Sequence, residues 1–265
     1  MKKKVTIQDI AKEAGVSVAT VSYVINNRQD QSISEETKRR VWHIVNLFNY
    51  EPNVFAKNLR SPSTSKFIAF YGGDGSSLSS AEYVGIMKSL RPRFDVLKYA
   101  VLFASRPYSK LDYADAIVAF NVSSSDFREI GQQNYIPLVA LDCLVNDPVF
   151  FQVTTDYDKL KANADEYFGK DYSFVCIEPE DPALKEEITR TFSRTVFVSD
   201  FFELSSVCRN GNIATDEKII FEHALRQGAD VFFSEETYER KIEAVALCLQ
   251  KAISREPFEE HFFKI

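Results

Sequence analysis

The chain has 265 residues and a formal net charge of −6, with 45% hydrophobic and 26% charged side chains and only nine glycines and nine prolines. That length admits two domains and a substantial core, and the composition excludes disordered and fibrous classes. No apolar run approaches the roughly 20 residues that cross a bilayer, and Met1-Lys2-Lys3-Lys4 leads into polar sequence, so a cytoplasmic location without a membrane partner is expected.

Charge is unevenly spread. Residues 1–60 carry ten basic and six acidic side chains, a surplus of four that leaves −10 on the remainder. A basic head on an acidic body suits a protein that touches nucleic-acid phosphates with one end. Within the head, Thr6 and Asp9 predict the capped start of a first helix with Ile7, Ile10, Ala11 and Ala14 on one face. Gly15 breaks it, as a tight turn requires. Ser17 caps a second helix with Val21, Val24 and Ile25 inward, ending at Asn26-Asn27. Ser34 caps a third, with Val41, Ile44, Val45 and Phe48 expected to be buried. Two short helices joined at a glycine and buttressed by a third form a helix-turn-helix, whose second helix enters the major groove. A plain three-helix bundle leaves unexplained why the outer face of the second helix holds the small or polar Ser17, Ala19, Thr20, Ser22 and Tyr23.

The string from Val5 to Asn26, VTIQDIAKEAGVSVATVSYVIN, resembles the start of the LacI/GalR family of transcription regulators. The likeness continues through Ser34–Val41 and Asn49–Arg60. It implies that Thr6, Ser17, Thr20, Ser22 and Asn26 hold phosphates while Val18, Ala19 and Tyr23 face bases. Many members have Arg where this chain has Tyr23, and a bidentate guanine contact is then lost, so a different operator half-site is expected. Pro52-Asn53 opens a stretch matching the family's hinge helix, too short to be stable alone and expected to fold when two copies meet on DNA. In it, Asn53, Ala56 and Lys57 would lie in or beside the minor groove and Leu59 would wedge it open.

The predicted organisation is a helix-turn-helix domain over 1–50, a hinge and linker over 51–65, and a body over 66–265. In the body, apolar runs at Phe67–Tyr71, Val96–Phe103, Ala116–Phe120, Leu138–Leu141, Phe174–Ile177, Val196–Val198 and Val231–Phe233 read as strands. Helical patterns lie between them at Ala81–Leu90, Phe127–Gln133, Lys159–Phe168, Ala183–Thr191, Asp216–Gln227 and Tyr238–Ile253. That alternation predicts an α/β fold with parallel sheets covered on both faces. The resemblance makes this a two-lobed domain like periplasmic binding proteins, shortened, with a small effector (a sugar or sugar phosphate) between the lobes. Tyr71, Asp74, Asp142 and Glu235 are the groups expected nearest such a pocket. Gly72-Gly73-Asp74-Gly75 lacks the spacing and the lysine of a nucleotide loop and reads as a strand-to-helix turn. Cys143, Cys176, Cys208 and Cys248 are too scattered for metal pairs and are expected as buried thiols. No nucleophile–base–acid set recurs, so neither an enzyme, a metal nor a cofactor is expected.

The reading that results is a regulator, most simply a repressor, binding a pseudo-palindromic operator as a homodimer and answering to the effector. One alternative keeps the DNA binding but reduces the body to a dimerisation unit, controlled by abundance or a protein partner. Another is a sugar-binding or enzymatic α/β protein with a vestigial head.

Overall fold

The computed structural model describes residues 5–25, 32–48, 66–72, 75–111, 113–209, 211–254 and 260–265, and the chain divides into two compact units, 1–64 and 65–265. The first unit holds α1 (Ile7–Ala14), α2 (Val18–Ile25) and α3 (Glu35–Leu47). Thr6 and Asp9 cap α1 reciprocally, and Gly15 ends it in the left-handed conformation at φ 64°. Ile10, Ala14, Val21, Val24, Val41 and Val45 close one apolar core among the three helices. Phe48, expected inside, is instead 40% exposed, just past the end of α3.

The second unit contains two parallel sheets. The first lobe is built on a sheet ordered β10-β5-β4-β3-β1-β2. Its strands are β1 (Lys66–Tyr71), β2 (Tyr99–Ala104), β3 (Ala116–Phe120), β4 (Leu138–Leu141), β5 (Phe151–Thr154) and β10 (Phe262–Lys264). The second is ordered β7-β6-β8-β9, with β6 (Ser173–Ile177), β7 (Thr195–Val198), β8 (Ile213–Ala214) and β9 (Val231–Phe232). The central strands β3 and β4 are buried throughout, as helices on both faces require.

Three helices cover the first sheet: α4 (Ser77–Leu97), α5 (Ser124–Gln133) and, after the chain returns from the second lobe, α10 (Glu235–Ser254). The second sheet is covered by α6 (Tyr157–Phe168), α7 (Pro182–Thr191), α8 (Phe201–Cys208) and α9 (Lys218–Arg226). The chain therefore passes between lobes twice, once after β5 and once after β9.

Two expectations need correction. The strand expected over Val96–Phe103 begins only at Tyr99, because α4 continues through Pro92 to Leu97. Proline removes one helical hydrogen bond, but Phe94, two residues on, is buried in the core and Arg93 pairs with Glu239 and Glu243 on α10. Further elements β5, α8, β8 and β10 were not expected. All four cysteines are free and buried.

Candidate nucleic-acid interface and inter-lobe cleft

In the head, the outer face of α2 is built from its cap upward. The Ser17 hydroxyl accepts from the Thr20 backbone N–H (3.0 Å) and lies 2.9 Å from the Thr20 hydroxyl, which fixes the first turn. Burial of Val21 and Val24 leaves Ser17, Val18 and Ala19 exposed and Thr20, Ser22 and Tyr23 half-exposed around the opposite side. Thr6 donates its hydroxyl to Asp9 (2.7 Å) and is exposed at the start of α1. Thr6 thus lies at the surface of the start of α1, Ser17, Val18, Ala19 and Thr20 at that of α2, and Ser22 and Tyr23 further along the same helix. Short side chains and free helix N-terminal N–H groups are what a helix needs to approach phosphate and base edges. Asn26, Asn53, Ala56, Lys57 and Leu59 lie outside the described residues.

In the second unit, the carboxyl ends of the two sheets face one another, where ligands of such folds sit. Asn121 and Asp142, which follow β3 and β4, adopt left-handed backbone at φ 46° and 52°, a conformation Asn and Asp tolerate and one enriched at functional sites. From α10, Lys241 Nζ reaches to 2.6 Å from Asp142 and 3.6 Å from Asp216, which follows β8 in the second lobe. Lys241 also donates to the Thr155 hydroxyl (3.1 Å), which donates to Asp216 (2.6 Å). Glu82 on α4 is buried and accepts from the Ile219 backbone N–H of α9 (3.1 Å), and Glu217 accepts from that of Ile177 (2.8 Å).

Burial pushes the Glu82 carboxyl up to about 7 and raises Glu217 well above the usual carboxylate range. Burial by itself would lower the Lys241 ammonium, but Asp142 and Asp216 outweigh it and hold it above the ordinary lysine value. The cluster therefore carries a charged lysine between carboxylates, with neighbouring carboxyls that keep protons. A cavity of about 20 Å³ borders it on the α4–α10 side, and another of about 20 Å³ faces α7, each with room for a single water. A larger space, about 330 Å³, lies at the cleft mouth, lined by Ser76, Ser79, Asn121, Glu178, Glu180 and Ser199 among others. At its rim Arg106 pairs at 2.6 Å with Asp126 of its own lobe and with Glu180 of the other.

Of the three described residues expected at a pocket, Tyr71, Asp142 and Glu235, only Asp142 is in this cleft. Tyr71 is buried on the opposite face of the first sheet, edge-on to Tyr108, with its hydroxyl donating to the Ser109 carbonyl (3.3 Å). It faces away because side chains alternate along a strand and position 71 shares its face with Ala69. Glu235 is exposed at the start of α10, paired with Lys218 (2.7 Å). Asp74 lies outside the described residues. Lys241, Asp216, Glu217 and Glu82 were not anticipated. Lys241 had a visible signal, for it stands three residues after Tyr238 and four before Val245, a charge at helical spacing within an apolar stripe.

Comparison with known proteins places both units. The sequence pattern described as "Bacterial regulatory proteins, lacI family" matches residues 6–53. The HTH-type transcriptional regulator DegA of Bacillus subtilis is 40% identical over 105 residues, covering 40% of this chain and 29% of that protein. The fructose operon regulatory protein of Vibrio cholerae is 30% identical over 165 residues, covering 57% of this chain and 49% of that protein. The chain thus spans half or less of the length of these curated relatives.

In fold, the chain is similar to the lac repressor dimer bound to operator and the anti-inducer ONPF (TM-score 0.53, 15% identity, 99% of this chain and 96% of that one). It is also similar to the transcriptional regulator CelR–cellobiose complex (TM-score 0.51, 14% identity, 98% and 97%).

Proposed function

We propose that this chain, whose head matches the lacI family of bacterial regulatory proteins over residues 6–53, is a DNA-binding transcriptional repressor whose paired heads read a pseudo-palindromic operator. The observation that carries this reading is the outer face of α2, which presents small and hydroxylated side chains at a helix start held by the Ser17 cap. Ser17, Thr20 and Ser22 would hold phosphates, and Val18, Ala19 and Tyr23 would meet base edges. Asn26 would join the phosphate contacts, and Asn53, Ala56, Lys57 and Leu59 would form the minor-groove part. Recovery of genomic fragments bound by the full chain tests the reading. Enrichment of a two-fold symmetric sequence is expected, and its absence would sink it.

For the body, the reading adds a small hydroxyl-rich effector at the cleft mouth. Among the described residues, those lining that space offer serine hydroxyls, an amide and two glutamates, and the basic groups beside it, Arg106 and Lys185, are already paired with those glutamates, which favours a neutral sugar over a phosphorylated one. A second reading, regulation without a ligand, is favoured by the tightness of the deep cleft around Lys241. A thermal-shift screen against neutral sugars and sugar phosphates separates them, since a ligand of the folded state must raise the melting temperature.

A further inference from the structure

The deep cleft is filled from both sides by charged and apolar groups packed against one another, with Asp142 Oδ1 held by its ion pair alone. Lys241 is 7% exposed, and its ammonium stands between a carboxylate of the first lobe, Asp142, and one of the second, Asp216. Thr155 closes the triangle by hydrogen bonds to both Lys241 and Asp216. Apolar groups tie the same seam. Leu78, in the first turn of α4, is buried in the second lobe's core beside Val175, Val198 and Leu204. Leu144, from the loop after β4, is buried against Tyr157, Leu184 and Ile188, and its backbone N–H donates to Asp181 (2.7 Å). What space remains beside Lys241 admits one water.

We propose that Lys241 is a built-in counter-ion that holds the two lobes closed, occupying from within the position where an exchangeable ligand would have to bridge Asp142 and Asp216. A lysine is suited to this because its flexible four-carbon stem threads an apolar helix face and delivers a compact charge at its end. The stem here runs along the face that also carries Tyr238 and Val245. Removing one partner of a buried pair leaves uncompensated charge, which costs far more than the pair itself contributes. Closure then needs no small molecule, and any effector is confined to the mouth. The inference concerns the body alone and stands or falls independently of operator binding.

Chemical rescue in the full-length protein tests it. Lys241→Ala should lower Tm by about 10 °C. n-Butylammonium at millimolar concentration should recover a good part of that loss, 1-butanol should not, and neither should move the Tm of the parent. A variant within about 2 °C of the parent, or equal recovery by the uncharged alcohol, overturns the proposal. If Lys241→Ala does not fold, Asp216→Asn removes only the second lobe's carboxylate. Amide exchange at Ile219 and at Ile177, the last residue of β6, should then quicken at least tenfold while β3, β4 and Phe174–Cys176 keep their protection, and unchanged exchange at those two amides also overturns it.

Discussion

Thr6 uses one hydroxyl twice: it accepts from the Asp9 backbone N–H to start α1 and donates to the Asp9 carboxylate. Thr6→Ala removes both bonds, and a loss of about 1 kcal/mol in urea unfolding is expected from such a cap. On the proposed function, Tyr23 faces the DNA. With one hydroxyl and a ring where an arginine would fork onto guanine, Tyr23→Ala should cost about 1–3 kcal/mol on the preferred operator and flatten the preference at one base position. A titration of operators varied at each position reads this; a uniform loss at every position would place Tyr23 on the backbone. Leu59→Ala should weaken operator binding by at least about 1 kcal/mol at fixed salt if that side chain is the minor-groove wedge. The caps, the glycine turn and the buried face of α2 were legible because each is set by residues three or four positions apart. Tyr71 and Glu235 were misplaced because proximity to a strand end or a helix start does not say which face a side chain takes.

At the scale of elements, Glu82 gives α4 a sensitivity to pH. Its folded carboxyl holds a proton to about 7, because burial dominates, whereas the unfolded one releases it near 4.5. The folded chain therefore binds more protons between those values. The contribution of Glu82 to stability is complete below about pH 4.5 and is lost as pH rises through about 7. The groups that bear on it are Lys241 and Tyr238 on α10, Asp216 before α9 and Asp142 after β4. Glu82→Gln keeps an acceptor for Ile219 and removes the titration. Relative to the parent it should gain about 2–3 kcal/mol at pH 8 and nearly nothing at pH 4.5, read by urea unfolding at both. An equal difference at the two pH values would show that burial of this group is not what moves it.

Continuous apolar runs were readable at β3 and β4, and so was the helical apolar period of α10. The short β8, only two residues, carries no period of its own and exists because β6 and β9 offer it partners on either side. Pro92 misled for a similar reason, since tertiary contacts of Phe94 and Arg93 outweigh the local cost.

For the molecule as a whole, charge separates a head with a surplus of four basic groups from a remainder at −10. Operator affinity should fall steeply and linearly in log K against log salt, with a slope of several units, as neutralised phosphates release their counterions. A slope near zero would mean that base contacts alone hold the complex. The parallel α/β plan was legible from the alternation of strands and helices, because each crossover must lay a helix on a parallel sheet, whereas its division into two lobes came from the family resemblance alone. What filled the cleft was not, since Asp142, Asp216 and Lys241 are separated by 74 and 25 positions and only the double passage of the chain between lobes brings them together.

The helix α4 has 21 residues, a rod of about 30 Å at 1.5 Å per residue. Leu78 sockets one end in the second lobe, while the residue capping the other, Lys98, accepts a hydrogen bond from the backbone N–H of Lys66 (3.0 Å), where the first strand of the body begins. Because Tyr83, Ile86, Leu90 and Phe94 pack the rod along its length into the first lobe, the turn that carries Leu78 is a rigid outrigger of that lobe, and the seam cannot open without drawing Leu78 out of its socket.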